Sequence, residues 1–142
     1  MKILITGAYG FVGTNLCRYL AGKGHECHAL DVSAAKRNDV PYAAFFTWDA
    51  LAGGETFPAE RYDAVVHLAG KAHDLKKVAS EQSYFDINVG LTEKIFNAVQ
   101  GKTARFVFFS SSKAAADGNA YGRSKLAAEK FWMEGRSCSA RQ

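Results

Sequence analysis

Apolar residues along this chain keep two rhythms. Short unbroken runs alternate with longer stretches in which they recur every three or four positions, and no internal repeat breaks the alternation. An unbroken run suits a strand covered on both faces, and the wider spacing is one face of a helix. On that basis 2–5, 25–31, 42–48, 64–68 and 105–109 are predicted strands, and 11–21, 84–99 and 120–133 predicted helices. Val12, Leu16 and Leu20 form the expected inward stripe of the first helix, which Gly22 and Gly24 end. Ile87, Leu91 and Ile95, with Phe85, Val89 and Phe96 beside them, form that of the second. This alternation implies a doubly wound α/β fold: a parallel sheet of about five strands, right-handed crossovers and flanking helices. No linker divides it, so 1–133 is expected to be one domain, and the aperiodic 134–142 a disordered tail.

Composition narrows the class. With 142 residues, 48% hydrophobic and 23% charged, the chain is globular rather than disordered. No apolar run approaches the ~20 residues of a membrane-spanning helix, so no membrane partner is expected. Met1-Lys2 leads into Ile3-Leu4-Ile5 and then Thr6, too short for the apolar stretch of about 7–15 residues in a secretory signal. Cys17, Cys27 and Cys138 lack metal-ligand spacing, which reads as inert, reduced thiols in a cytoplasmic protein without a metal. The net charge of +4 is uneven: residues 1–70 carry 6 basic and 7 acidic side chains, and 71–142 carry 12 and 7. A positive second half suits an anionic ligand. The basic residues are scattered, with no run beyond Lys76-Lys77 and no aromatics interleaved, so nucleic acid is not an expected partner.

Between the first strand and first helix stands Thr6-Gly7-Ala8-Tyr9-Gly10-Phe11-Val12-Gly13. A dinucleotide diphosphate needs a tight turn, a bare backbone to approach and a helix N-terminus aimed at it, and Gly7, Gly10 and Gly13 suit these needs in turn. Glycines also punctuate ordinary turns. Asp31, at the end of the next strand, raises the functional reading, because it stands near the spacing expected of the acid that binds ribose hydroxyls. A carboxylate there repels a 2′-phosphate and so favours NAD over NADP, while Lys36 and Arg37 stand close enough in sequence to offset it.

The second constellation is Ser110-Ser111-Ser112 after the fifth strand, then Tyr121-Gly122-Arg123-Ser124-Lys125. Tyr121 and Lys125 are four apart and share a helix face. A phenol near its ordinary pKa of about 10 needs roughly 4 kcal/mol of phenolate stabilisation to act as a base at neutral pH, and a nearby ammonium supplies part of that. Tyr19 and Lys23 repeat the spacing, at the far end of the first helix and away from any serine cluster. That copy reads as a surface pair.

These motifs, with His67-Leu68-Ala69-Gly70 and Asn88-Val89-Gly90, resemble the extended short-chain dehydrogenase/reductase family, in particular its NAD-dependent nucleotide-sugar epimerases and dehydratases. The resemblance implies a Rossmann-type fold with NAD held by Gly7, Gly10, Phe11, Val12, Gly13 and Asp31, Asp49 at the adenine, and Leu68, Ala69 and Gly70 passing backbone along the cofactor. It implies further that Ser112 hydrogen-bonds the reacting hydroxyl of a UDP- or dTDP-linked sugar and that Tyr121 takes its proton. Lys125 would hold the ribose and tune Tyr121, and the chemistry would pass through a transient ketosugar. A homodimer through the last two long helices is also implied. His73 reads as a loop residue more readily than as a pocket lining, and Asn88 as a structural polar group.

Two departures from the family are visible. Ser112 and Tyr121 are nine positions apart, closer than extended members usually hold them, and the chain stops where the family continues into a further strand and a C-terminal substrate domain. The expectation is therefore a truncated, internally shortened relative. Two functions stay open: an NAD-dependent epimerase or dehydratase acting on a nucleotide sugar, and a catalytically inactive dinucleotide-binding fragment or redox-sensing module. A reductase of small carbonyls fits less well, since no substrate lid is evident.

Overall fold

The computed structural model describes residues 1–32, 37–52, 61–71 and 80–139. In chain order these form β1 (Lys2–Thr6), α1 (Phe11–Gly22), β2 (Glu26–Asp31), β3 (Ala44–Thr47), α2 (Asp49–Ala52), β4 (Ala64–His67), α3 (Glu81–Val99), β5 (Phe106–Phe108) and α4 (Ala120–Ser139). The strands make one sheet in the order β3-β2-β1-β4-β5, with parallel pairing of β1 to β2 and β4, and of β2 to β3. The order reverses between β1 and β4, the switch point beside which doubly wound sheets open a crevice at their strands' carboxyl ends. Register brings those ends level: Thr6 stands beside Leu30 and His67, and Asp31 beside Thr47. The turn after β1, the end of β2, the start of α2 and the residues after β4 therefore share one edge.

β1 is covered on both faces, which is why its apolar run is continuous: Ile3, Leu4 and Ile5 are all buried. One face packs Ile3, Ile5, Cys27, Ala29 and Val66 with Cys17 of α1, Val40 and Tyr42. In that setting burial pushes the Cys17 thiol up to about 12 and also raises that of Cys27, which makes both poor nucleophiles.

α1 does not present the stripe its hydropathy suggests. Gly13, Thr14 and Cys17 are its buried residues, Leu16 and Leu20 pack beside them, and Val12 is 48% exposed. A glycine and a small polar residue face inward because that face lies against backbone, where a larger side chain has no room. On α3 the buried positions are Tyr84, Asn88, Thr92, Ile95 and Val99, so two polar residues lie where Ile87 and Leu91 were expected to be deepest. The Thr92 hydroxyl donates to the Asn88 carbonyl at 2.7 Å, and the Asn88 amide is fully engaged as described below. Burial is thus affordable for both.

α2 was not expected. α4 runs on to Ser139, past the Met133 boundary read from the sequence; Gly135 lowers helix propensity without ending the helix, and no proline follows it. The chain divides into two compact units, Met1–Ala69 with Ala98–Val107, and Gly70–Asn97 with Phe108–Gln142. Each unit draws on two stretches of chain, so no change in composition marks a boundary. No helix among the described residues is long and apolar enough to cross a membrane.

Candidate functional site

In the first unit the glycine turn is built by close backbone approach. Gly7 has φ +65°, and a Cβ there would stand 2.8 Å from the Ala69 nitrogen. A Cβ on Gly13 would meet the carbonyl oxygens of Gly7 at 2.5 Å and Ala8 at 2.7 Å. Gly10 differs: its φ of −69° suits any residue, and its nearest neighbour would be the Gly7 oxygen at 3.2 Å. Gly10 is the N-cap of α1 and offers no side-chain cap, so the first-turn amides, with Phe11 and Val12 exposed above them, suit an anion.

Several side chains brace this corner. The Gly7 amide donates to the Leu30 carbonyl at 3.0 Å. Asp31, at the end of β2, accepts the Tyr9 amide on Oδ2 at 2.8 Å and the Val32 amide on Oδ1 at 2.7 Å. Tyr42 shares its hydroxyl proton between the carbonyls of Ala8, at 2.8 Å, and Gly13, at 3.1 Å. The Thr6 hydroxyl accepts the amides of Leu68 at 3.2 Å and Ala69 at 3.1 Å and sits 2.7 Å from His67 Nδ1, which fixes the chain after β4 against the turn. Asp49 is exposed in the first turn of α2. Asp31, Leu68 and Ala69 are thus tied to the turn, and Asp49 lies on the same sheet edge without a tie to it. Thr6 and Tyr42 were missed: Thr6 adjoins the glycines and was legible, whereas nothing local marks a tyrosine 29 and 34 residues away from its partners.

In the second unit Lys125 is buried on α4. Its Nζ donates to the Phe109 carbonyl at 2.8 Å and lies 4.8 Å from the centre of the Phe108 ring. Burial lowers its pKa from the usual lysine value, partly opposed by Glu129. Tyr121, one turn earlier, is half-buried, and Ser112 is exposed. The short segment between them folds as tight turns, with Ala114 donating to Ser111 O and Gly118 to Ala115 O. Asn119 caps α4 by accepting the Gly122 amide at 3.0 Å. Gly122 has no room for a side chain, since a Cβ would run into the Lys113 carbonyl.

Asn88 supports α4 from below. It accepts the Lys71 amide at 2.7 Å and donates to the Lys71 carbonyl at 3.3 Å and to Ser124 Oγ at 2.8 Å, while Ser124 donates to the Tyr121 carbonyl at 2.8 Å. It is a structural polar group. Gly70 lies beside both: a Cβ there would stand 2.8 Å from Asn88 Oδ1 and 3.9 Å from Lys125 Nζ. The second Tyr/Lys pair is a surface one, with Tyr19 64% exposed and Lys23 Nζ 5.7 Å from its ring. His73 and Lys36 lie outside the described residues.

A parallel sheet in this order, with an uncapped glycine turn opening its first helix, defines the class: a doubly wound protein of Rossmann type. The chain belongs to the NAD dependent epimerase/dehydratase family, whose model matches residues 3–136. A UDP-glucose 4-epimerase of Klebsiella pneumoniae is 32% identical over 124 residues, 79% of this chain and 89% of that sequence. A UDP-2-acetamido-2,6-beta-L-arabino-hexul-4-ose reductase of Pseudomonas aeruginosa is 34% identical over 131 residues, 91% of this chain and 30% of that protein. The crystal structure of UDP-glucose 4-epimerase from Brucella ovis in complex with NAD is similar with a TM-score of 0.78 and 26% identity, over 94% of this chain and 47% of that one. The chain thus spans less than half the length of the latter two.

Proposed function

We propose that this chain binds NAD at the glycine turn and interconverts or dehydrates a UDP- or dTDP-linked sugar through a transient ketosugar. The turn fits the cofactor: Gly7 and Gly13 are closed to side chains, and the amides above Gly10 carry no cap. Gly7, Gly10, Phe11, Val12 and Gly13 hold the diphosphate through backbone, Asp31 accepts from the ribose hydroxyls, and Asp49 meets the adenine. Leu68, Ala69 and Gly70 pass their backbone along the cofactor. When bound, NAD supplies a hydride acceptor that returns the hydride later. Ser112 hydrogen-bonds the reacting sugar hydroxyl and Tyr121 takes its proton as the C–H bond breaks, leaving the ketone. Lys125 stabilises the resulting phenolate and holds the ribose. Orientation and fixed charge are the protein's main contribution.

The observation that carries the catalytic part is a buried ammonium, pinned to the Phe109 carbonyl, one helical turn from a tyrosine whose backbone is fixed through Ser124 and Asn88. The test is epimerisation of a UDP-hexose panel by purified protein with NAD. Turnover that vanishes in Tyr121→Phe, with NAD binding retained, supports the reading. NAD bound without turnover on any sugar overturns it in favour of a binding module.

A further inference from the structure

Arg37 and Asp31 are tied to the same residue of the glycine turn. The Tyr9 amide donates to Asp31, the Tyr9 hydroxyl accepts the Arg37 amide at 3.1 Å, and the Arg37 guanidinium lies 5.7 Å from the centre of the Tyr9 ring. That guanidinium is already engaged. Its Nε donates to Asp39 Oδ1 at 3.0 Å and its Nη2 to Asp39 Oδ2 at 2.6 Å, a two-pronged pair. Arg18 of α1 approaches the same carboxylate at 3.4 Å. Hydrogen bonding from Arg37 holds the Asp39 carboxyl below the usual carboxylate range.

We propose that Asp39 is a specificity-determining residue: by occupying the fork of Arg37 it withholds that cation from a 2′-phosphate, so that the chain selects NAD over NADP. The inference rests on the cofactor reading of the turn and Asp31. An arginine beside the ribose acid is what accommodates a 2′-phosphate, and a carboxylate held on the Nε–Nη2 edge of that guanidinium offsets the positive charge it has to offer. With Asp39 in place an incoming phosphate faces the carboxylate of Asp31 and meets Arg37 with its charge already matched by a second carboxylate. NAD, which carries a hydroxyl at that position, meets neither obstacle. Asp39 and Arg37 are exposed, so replacing them leaves the core intact.

The test is calorimetric titration of NAD and NADP into the wild-type chain, Asp39→Asn and the double variant Asp39→Asn/Arg37→Ala. The wild type is expected to bind NAD more tightly. Asp39→Asn is expected to gain about tenfold in NADP affinity, the scale of one charge-assisted hydrogen bond, with NAD affinity unchanged. The double variant should lose the gain. A gain that survives in the double variant assigns it to another cation, such as Lys36 or Arg18, and overturns the proposal. NAD bound by the wild type with no NADP gain in Asp39→Asn overturns this inference alone. Binding of neither dinucleotide by the wild type removes the cofactor reading beneath it as well.

Discussion

Replacing Gly10 by alanine separates what the glycine turn does for the fold from what it does for a ligand. The Gly10 backbone is in a region open to every residue, and its added methyl would meet only the Gly7 oxygen, at 3.2 Å. The cost to the fold is that of a poorer helix cap, about 1 kcal/mol or less. For a chain of this length that is a fall of roughly 2–4 °C in Tm. The cost to a diphosphate is larger, because the methyl stands between it and the first-turn amides. Losing two charge-assisted hydrogen bonds at about 1.5–3 kcal/mol each lowers affinity by a factor of 100 or more. Gly13→Ala is the control of opposite character. Its Cβ would press on two carbonyl oxygens at 2.5 and 2.7 Å, so the turn itself must move, at about 1–3 kcal/mol of stability. Calorimetry with NAD alongside a thermal melt reads both quantities. NAD affinity unaltered in Gly10→Ala, or a loss of stability matching that of Gly13→Ala, would refute the division of labour.

Two further predictions concern the supports. Tyr42→Phe removes the proton shared by the Ala8 and Gly13 carbonyls and is expected to cost about 1–3 kcal/mol, read as a lower urea midpoint with unchanged slope; an unmoved midpoint counts against the brace. The lowered pKa of Lys125 means that the unfolded chain binds the proton more tightly than the folded one. Its contribution to stability therefore rises as pH climbs through the alkaline range below the ordinary lysine value of 10.5, and falls again as pH drops. Urea midpoints taken across that range should climb more steeply in the wild type than in Lys125→Met, and parallel curves would contradict a charge held in the interior.

Local pattern revealed the strands and the long helices because β1, β2 and β4 are buried enough for their hydropathy to be continuous. It failed where tertiary partners decide burial. Asn88 and Thr92 lie deeper than Ile87 and Leu91 because hydrogen bonds with Lys71, Ser124 and the helix's own backbone satisfy them, and none of those partners is visible in a hydropathy trace. Val12 was expected inside and is half exposed, since the neighbouring Gly13 takes the close contact. Gly7 and Asp31 were legible as a motif, although the spacing carried no sign that Asp31 also braces Tyr9. Asn119 stood in the open as a cap signal just before a helical run. The hydroxyl of Tyr42, by contrast, reaches the turn from across the sheet's connections and leaves no trace in sequence.

The threonine that closes β1 has a consequence for its neighbour. The Thr6 hydroxyl accepts the Ala69 amide, shares the Leu68 amide with its own carbonyl, and lies 2.7 Å from His67 Nδ1. That contact couples the ring to the amides the hydroxyl holds, so whatever frees the chain after β4 from the turn changes what Nδ1 meets. The ring of His67 is thus a native spectroscopic tag, whose nitrogen resonances report whether the corner is latched.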